Sequence, residues 1–378
     1  MMARTREHGA DTVRDGRRSL RPARVLLRLA AALLAALAAA APLAPALAQA
    51  PPQVIQGGNE QELRRQLERI EREQRRPEQQ GPAVVAPSRR PDDVLKPGGP
   101  KFLLKKLEFD DSKFLSKEEL EALAGQYAGR LVDFSELQKL IASINALYSQ
   151  KNIPTGIATL PEQQVADGVV KIKLTEGRLE KMSVTGAVKT RIDYILQRVE
   201  QKVGEVLDVP KLSRAVTWFN RTNDTQIRAL LQPGTSFGLT EVQMATTEAP
   251  TNALQFFWDN QGVKSTGRYQ TGVYYRASGA LGIDDRFTFY GTNAAGSRNG
   301  NISYNLPFNP WGGRVGVSYT QGEVRIVDGP SVGNNVFGQS NLGSLNVSQP
   351  VWVDENWLIA INGAQSLSRG KTLSLIHI

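Results

Sequence analysis

The sequence predicts an α+β region of two similar units, each ordered β-α-α-β-β, followed by a transmembrane antiparallel β-barrel. Only the first strands of that barrel are expected to be present. Three observations predict this. First, Asp167–Gly186 (DGVVKIKLTEGRLEKMSVTG) is two strands joined at a Thr-Glu-Gly turn, with two helices on either side of it. Val170, Ile172 and Leu174 fall on one face of its first strand and Lys171 and Lys173 on the other, the period of a strand. Second, two hairpins, IATLPEQQVADGVVKIKL and RALLQPGTSFGLTEVQM, share one layout: apolar strand, proline, polar turn, glycine, alternating strand. Third, helical periodicity stops at Pro250, and short alternating segments rich in glycine, asparagine and aromatics replace it.

The first unit spans 101–177. Phe102–Phe109 is its opening strand. Ser116 and Glu119 form a capping box for a short helix carrying Leu120, Leu123 and Tyr127. The next helix places Leu137, Leu140, Ile141, Ile144, Leu147 and Tyr148 on one stripe, and Asn152 can take the left-handed conformation that ends it. Thr155–Leu160 and the lysine-bearing strand follow. The second unit, 178–249, repeats the order with helices over Arg191–Gln201 and Val209–Asn220 and strands over Gln226–Leu231 and Leu239–Ala245. Units this small are near the lower limit for a stable core and are expected to lean on each other.

Seven alternating segments are visible in 250–378: Ala253–Asp259, Arg268–Arg276, Arg286–Gly291, Asn301–Leu306, Arg314–Gln321, Leu342–Ser348 and Trp357–Gly363. Trp258, Tyr269, Tyr290, Trp311, Trp352 and Trp357 are placed near strand ends, as in an interfacial aromatic girdle. A soluble β-sandwich would show the same alternation; an export signal and the turn spacing favour the barrel. Seven strands left open in lipid would leave edge groups unpaired, so more strands are expected beyond residue 378.

The N-terminal part is read as three segments. Residues 1–48 have a basic stretch (Arg14, Arg17, Arg18, Arg21, Arg24), an Ala/Leu run over Val25–Ala41, and Ala46-Leu47-Ala48, a small-x-small cleavage pattern. Processing is expected between Ala48 and Gln49. Within 49–76, Asn59–Arg76 is a charged helix with one thin stripe, Leu63, Leu67 and Ile70. From the residues alone, a solvated helix is slightly favoured over one lodged in a water-filled lumen. Residues 77–100 are a Pro/Gly-rich linker.

Composition excludes whole classes of chemistry. The 378 residues contain no cysteine and two histidines, His8 and His377, near opposite ends. Thiolate sites, disulfides and serine–histidine catalysis are therefore set aside, no metal or cofactor is expected, and no enzymatic motif is found. The net charge of +9 carries about +5 from residues 1–48 alone. The remainder has no basic helix with interleaved aromatics, so nucleic acid is not an expected partner.

The β-α-α-β-β units resemble polypeptide-transport-associated (POTRA) domains. The phrases GVVKIKLTEG (168–177), LQPGTSFG (231–238) and DNQGVKSTG (259–267), in that order, resemble the outer-membrane transporters of two-partner secretion, the haemolysin secretion/activation family. The resemblance implies a 16-stranded barrel in the Gram-negative outer membrane and two periplasmic POTRA domains recognising one secreted exoprotein. It also implies that the Asn59–Arg76 helix plugs the pore. The partners implied are the unfolded exoprotein and outer-membrane lipid. An Arg-Gly-aromatic loop motif of the family is expected beyond residue 378. Two alternatives stay open: a POTRA-bearing barrel-assembly factor, and a passive pore. Because the last two strands of each unit form a hairpin, one strand lies at a sheet edge. In the first unit Thr155, Ile157 and Thr159 mark that edge, where an extended partner segment could add as a strand. The alternative is that these residues only finish the sheet and the linker covers it.

Overall fold

The computed structural model describes Arg69 and residues 82–86, 100–165, 167–330 and 332–373. The expected processing site at Ala48 and Gln49, and the stripe Leu63, Leu67 and Ile70, lie outside the described residues. Arg69 itself is helical.

A short strand of the linker, β1 (Val84–Val85), comes first. The first unit then runs β2 (Phe102–Leu103), β3 (Lys106–Phe109), α1 (Lys117–Ala124), β4 (Leu131–Val132), α2 (Phe134–Gln150), β5 (Gly156–Thr159) and β6 (Val169–Glu176). The expected Ser116/Glu119 capping box starts α1, and Asp133 with Glu136 forms a second one at α2. Asn152 takes the left-handed conformation, φ 57°, just past α2. The single opening strand read over Phe102–Phe109 is two: β2 pairs with β4, and only β3 joins the main sheet. The backbone leaves the sheet at Leu104, which is fully buried in the core.

The second unit runs β7 (Arg178–Thr185), α3 (Ile192–Leu196), α4 (Val209–Thr222), β8 (Gln226–Pro233) and β9 (Leu239–Thr247). Helix α3 is shorter than the expected Arg191–Gln201. The sheets of the two units match. In the first, β3 pairs parallel with the central β6 and β5 antiparallel to it. In the second, β7 pairs parallel with the central β9 and β8 antiparallel to it. Each sheet is covered on one face by its helices. Leu140, Ile144, Tyr148 and Ile172 fill the first core, and Ile195, Leu212, Val216 and Val242 the second.

Tyr148 gives the first unit an alkaline limit. Its ring has no exposed surface, and its hydroxyl donates to Glu176 Oε1 at 3.2 Å. Burial, reinforced by the Glu176 charge against an opposing hydrogen bond from Ser112, pushes the phenol from 10 up to about 12. The folded state then holds a proton that the unfolded chain has released, so stability is intact below pH 10 and falls as pH rises towards 12. Hydrogen exchange of residues 102–177 is expected to accelerate across that window in the wild type relative to Tyr148→Phe. An identical pH profile for both proteins would show that Tyr148 is not the group responsible.

The remaining strands are β10 (Asn252–Asp259), β11 (Gln270–Ser278), β12 (Arg286–Ala294), β13 (Ser297–Pro307), β14 (Arg314–Arg325), β15 (Phe337–Val353) and β16 (Leu358–Leu373). They form one antiparallel meander in sequence order, with β10 and β16 at its edges. Each extends past at least one of its expected bounds, β10 by the single residue Asn252, because ladder pairing carries them through Asn, Ser and Gly stretches such as SRNGN that side-chain pattern alone does not mark. The register sorts the sheet into two faces. Gln255, Tyr274, Tyr290, Asn301 and Thr320 are cross-strand neighbours on a polar face. Leu254, Phe256 and Trp258 alternate with them on the other face; Phe256 is 75% exposed.

Trp258 and Tyr269 stack at one end of the sheet, with ring centroids 6.0 Å apart; at the other end exposed Trp311 and Trp357 lie in turns and exposed Trp352 is the next-to-last residue of β15. Tyr290 is a correction. It sits in the middle of β12, fully buried on the polar face and stacked on Phe257 at 6.0 Å, so it is not part of a rim. The alternating pattern stops at Gly291, whereas ladder pairing with β11 and β13 carries β12 on to Ala294 and leaves Tyr290 mid-strand.

Candidate functional site

The strand edges of the two units decide where a further strand can be added. In the first unit β5 is indeed an edge, paired only with β6. The expectation that Thr155, Ile157 and Thr159 present unpaired backbone groups there is corrected. Outward-facing positions on β5 are Gly156 and Ala158, and both are used. Gly156 N–H donates to Ile153 O at 3.2 Å, and Ala158 N–H donates to Asn145 Oδ1 on α2 at 2.8 Å. Asn145 Nδ2 reaches back to Ala158 O at 3.4 Å. Strand alternation then turns Ile157 and Thr159 inward to Thr175 and Lys173 of β6. Thr155 lies at the joint, its carbonyl accepting from Gly177 N–H at 3.0 Å. With Pro161 two residues past the end of β5, little edge remains.

The second unit repeats the device and then departs from it. Asn220 on α4 accepts from Ile227 N–H at 2.8 Å and donates to Ile227 O at 2.9 Å. Strand β8, however, continues to Pro233, so its outward positions include Ala229 beyond the asparagine. There the linker is bound: β1 pairs parallel with β8, Val84 opposite Ala229 and Val85 opposite Leu230, and Ala229 N–H donates to Ala83 O at 3.0 Å. The sequence reading has 77–100 as a linker without a strand, and the open alternative has it cover the edge of the first unit, not of the second; Pro82 and Pro87 bracket only four residues, too few for a strand signal. The cue available is the apolar run Ala83–Ala86 between two prolines.

The second unit is tied to the sheet end that carries Trp311 and Trp357. The turn 279–285 inserts Asp284, whose carboxylate accepts from Asp224 N–H at 3.0 Å and Thr225 N–H at 3.2 Å, and pairs with Arg314 Nη1 at 3.3 Å. Arg286 grips Asp224 with Nη2 at 2.5 and 2.6 Å and Nε at 3.1 Å. Burial, and then the Asp224 charge beside it, push Asp284 above the usual carboxylate range. For Asp224 burial acts in the same direction, but the Arg286 charge and its hydrogen bonds outweigh it and hold the carboxyl low. Asp285 accepts from Leu281 N–H at 2.8 Å and Tyr304 Oη–H at 2.7 Å. Further ties run to backbone carbonyls: Arg198 to Asn309 O at 3.0 Å, Trp218 Nε1 to Trp311 O at 3.1 Å, and Arg221 to Glu355 O at 3.0 Å. The sequence signals for this junction were Asp284-Asp285 in a turn and Asn223-Asp224 ahead of a strand, and neither was singled out.

At the opposite end of the sheet, Arg69 bonds to the Gln261 side chain and lies 4.0 Å from Asp259 Oδ2. Asp259 is the polar-face residue that opens the phrase DNQGVKSTG. It is fixed by Gln261 N–H and Gln270 Nε2, each at 2.9 Å. No group of acidic or histidine residues suited to a metal is found among the described residues.

Comparison with known proteins fits this geometry. Residues 102–177 match the ShlB-type POTRA domain, and residues 238–369 match the haemolysin secretion/activation protein ShlB/FhaC/HecB. The outer membrane transporter CdiB of Dickeya dadantii is 28% identical over 274 residues, 69% of this chain and 47% of that protein. The heme/hemopexin transporter protein HuxB of Haemophilus influenzae is 25% identical over 226 residues, 58% of this chain and 40% of that protein. The chain thus spans about half the length of the curated relatives it matches. The solved structure of CdiB from Escherichia coli shares the fold, with a TM-score of 0.58 at 20% identity over 87% of this chain and 61% of that one. With a POTRA domain leading into barrel strands that are polar on one face and apolar on the other, the chain belongs to the haemolysin secretion/activation family of two-partner secretion transporters.

Proposed function

We propose that this protein works in the Gram-negative outer membrane as a non-enzymatic channel that captures one secreted partner polypeptide in the periplasm and passes it through the barrel. The single observation that carries the recognition step is the extended segment Val84–Val85 held on the outer edge of β8. An edge that binds a strand of its own chain through main-chain groups can bind a strand of another, and main-chain pairing tolerates many sequences. An unfolded partner would take the place of β1 there. The polar face of the barrel sheet suits passage of a hydrated chain, and the apolar face suits lipid. The contact of Arg69 with Asp259 and Gln261 supports a helix held against the polar face, as a plug would be.

The test uses the full-length protein in proteoliposomes and, as probe, a urea-unfolded exoprotein secreted by the same bacterium. Ala229→Pro removes the outward donor at the β8 edge, and Ala229→Gly keeps it. With residues 83–86 replaced by a Gly-Ser segment, so that β1 no longer uses the same donor, the proline variant is expected to bind about tenfold more weakly than the glycine variant, roughly 1.4 kcal/mol for one main-chain hydrogen bond. Equal affinities would remove the β8 edge from recognition. An Ile157→Pro variant is not equivalent, because the Ile157 donor faces β6 and its loss breaks the first sheet from within.

A further inference from the structure

We infer that Asp284, with the Asp224–Arg286 pair, is a positioning group that holds the root of β8 in fixed register with the periplasmic mouth of the barrel, so that a segment captured at the β8 edge is handed directly to the lumen. The inference rests on the transporter reading above. Strand β8 begins at Gln226, and the Asp284 carboxylate takes the backbone N–H groups of the two preceding residues, Asp224 and Thr225, with the Thr225 hydroxyl at 3.4 Å. Other ties between the second unit and the barrel turns use backbone carbonyls as acceptors. The Asp284 tie is instead a buried charge, 4% exposed, and reaches the corner from which the docking strand starts.

Two features set this residue apart from a packing contact. Asp284 has φ 61°, in the left-handed region that a non-glycine residue enters at a cost, and such strain persists only where its surroundings over-determine it. Its carboxylate also faces a row of partners along the polar face of the sheet. Arg314 Nη1 donates to the Asp284 carboxylate at 3.3 Å and Nη2 to the Asp284 backbone carbonyl at 2.8 Å, while Nε donates to Asn305 Oδ1 on the neighbouring strand at 2.5 Å. Arg286, on the polar face of β12, grips Asp224 from the same side. The Arg314–Asp284 pair is buried and the Arg286–Asp224 pair half-buried, and removing one partner of such a pair leaves the other charge uncompensated.

Asp284→Asn isolates the charge, since asparagine tolerates the left-handed backbone. Three quantities are read in the full-length protein in proteoliposomes: affinity for the unfolded secreted polypeptide, its translocation rate, and a spin–spin distance between labels at Val203→Cys and Asn356→Cys. The chain has no cysteine to interfere. The expected result is affinity within twofold of wild type, translocation slowed about tenfold, and a broadened distance distribution. An unchanged rate, or an affinity that falls in step with the rate, overturns the inference. If Asp284→Asn does not assemble, Arg286→Lys keeps the charge, loses the fork, and is expected to slow translocation severalfold at unchanged affinity. A wild type that binds but does not translocate overturns the transporter reading instead. The distance measurement still judges the tether in that case, and a narrow distribution in both proteins removes it.

Discussion

Replacing Glu176 by Leu is expected to unfasten the first unit and cost it about 3 kcal/mol, the range for stripping a charged acceptor from several buried or half-buried donors. The Glu176 carboxylate accepts from the Ser112 hydroxyl at 2.6 Å, Lys113 N–H at 3.0 Å and the Tyr148 hydroxyl at 3.2 Å. It thereby pins the loop between β3 and α1 to the end of the central strand. Leucine fills the space and satisfies none of these donors. Hydrogen exchange in residues 110–116 and in α2 should rise by about two orders of magnitude, the exchange equivalent of that free energy. The second unit serves as an internal control, because Glu248 ends β9 in the same way and accepts from Val188, Lys189 and Thr190 N–H, the last at 2.7 Å. Glu248→Leu should loosen residues 187–192 and leave 110–116 untouched. If Glu176→Leu leaves exchange at 110–116 unchanged, the carboxylate is not what holds that loop.

This shared acid shows how much was legible in the sequence and why the rest was not. Elements with their own period were visible. Leu137, Leu140, Ile144 and Tyr148 mark α2, and Val315, Val317 and Tyr319 mark one face of β14. Caps written within four residues, Ser116 to Glu119, were visible as well. What sequence reading missed lies in contacts between distant positions. Asn145 stands thirteen residues from Ala158 and looked like any polar residue on an amphipathic helix, yet it closes the edge that had been proposed as a docking site. Val84-Val85 had no partner until β8 was in place. Asp224, Asp284, Arg286 and Arg314 belong to separate elements, and only the fold brings them into one cluster. The repeat itself was legible because the two hairpins share a layout. That the second edge is long and occupied, and the first short and capped, followed from strand length, which is the least certain quantity in a sequence reading.

Substituting Gly177 by Val is expected to change the angle between the two units while leaving both cores folded. Gly177 is the single residue between β6 and β7, so the two sheets meet at it. Its N–H donates to Thr155 O at 3.0 Å in the first unit, and its carbonyl accepts from Leu207 N–H at 2.9 Å in the second. A Cβ at this position would stand 2.6 Å from Thr240 Oγ1 and 2.8 Å from Thr155 Cβ, closer than real contacts allow. Thr240 sits in the middle of the second sheet, 8% exposed, and cannot rotate away without disturbing Val242 and Leu179 beside it. Overpacking of this kind costs about 1–3 kcal/mol when a core must absorb it. The cheaper response is to swing the units apart, because beside the two hydrogen bonds of Gly177 the joint is crossed by Lys113 Nζ to Val206 O at 3.4 Å. Gly177→Ala, which places the same Cβ, should show part of the change and valine more. Spin labels at Lys106→Cys and Val203→Cys should report a displaced mean distance, with exchange protection of α2 and α4 preserved. An unmoved distance would mean that the joint yields locally, and loss of protection in α4 would mean that the second core takes the strain.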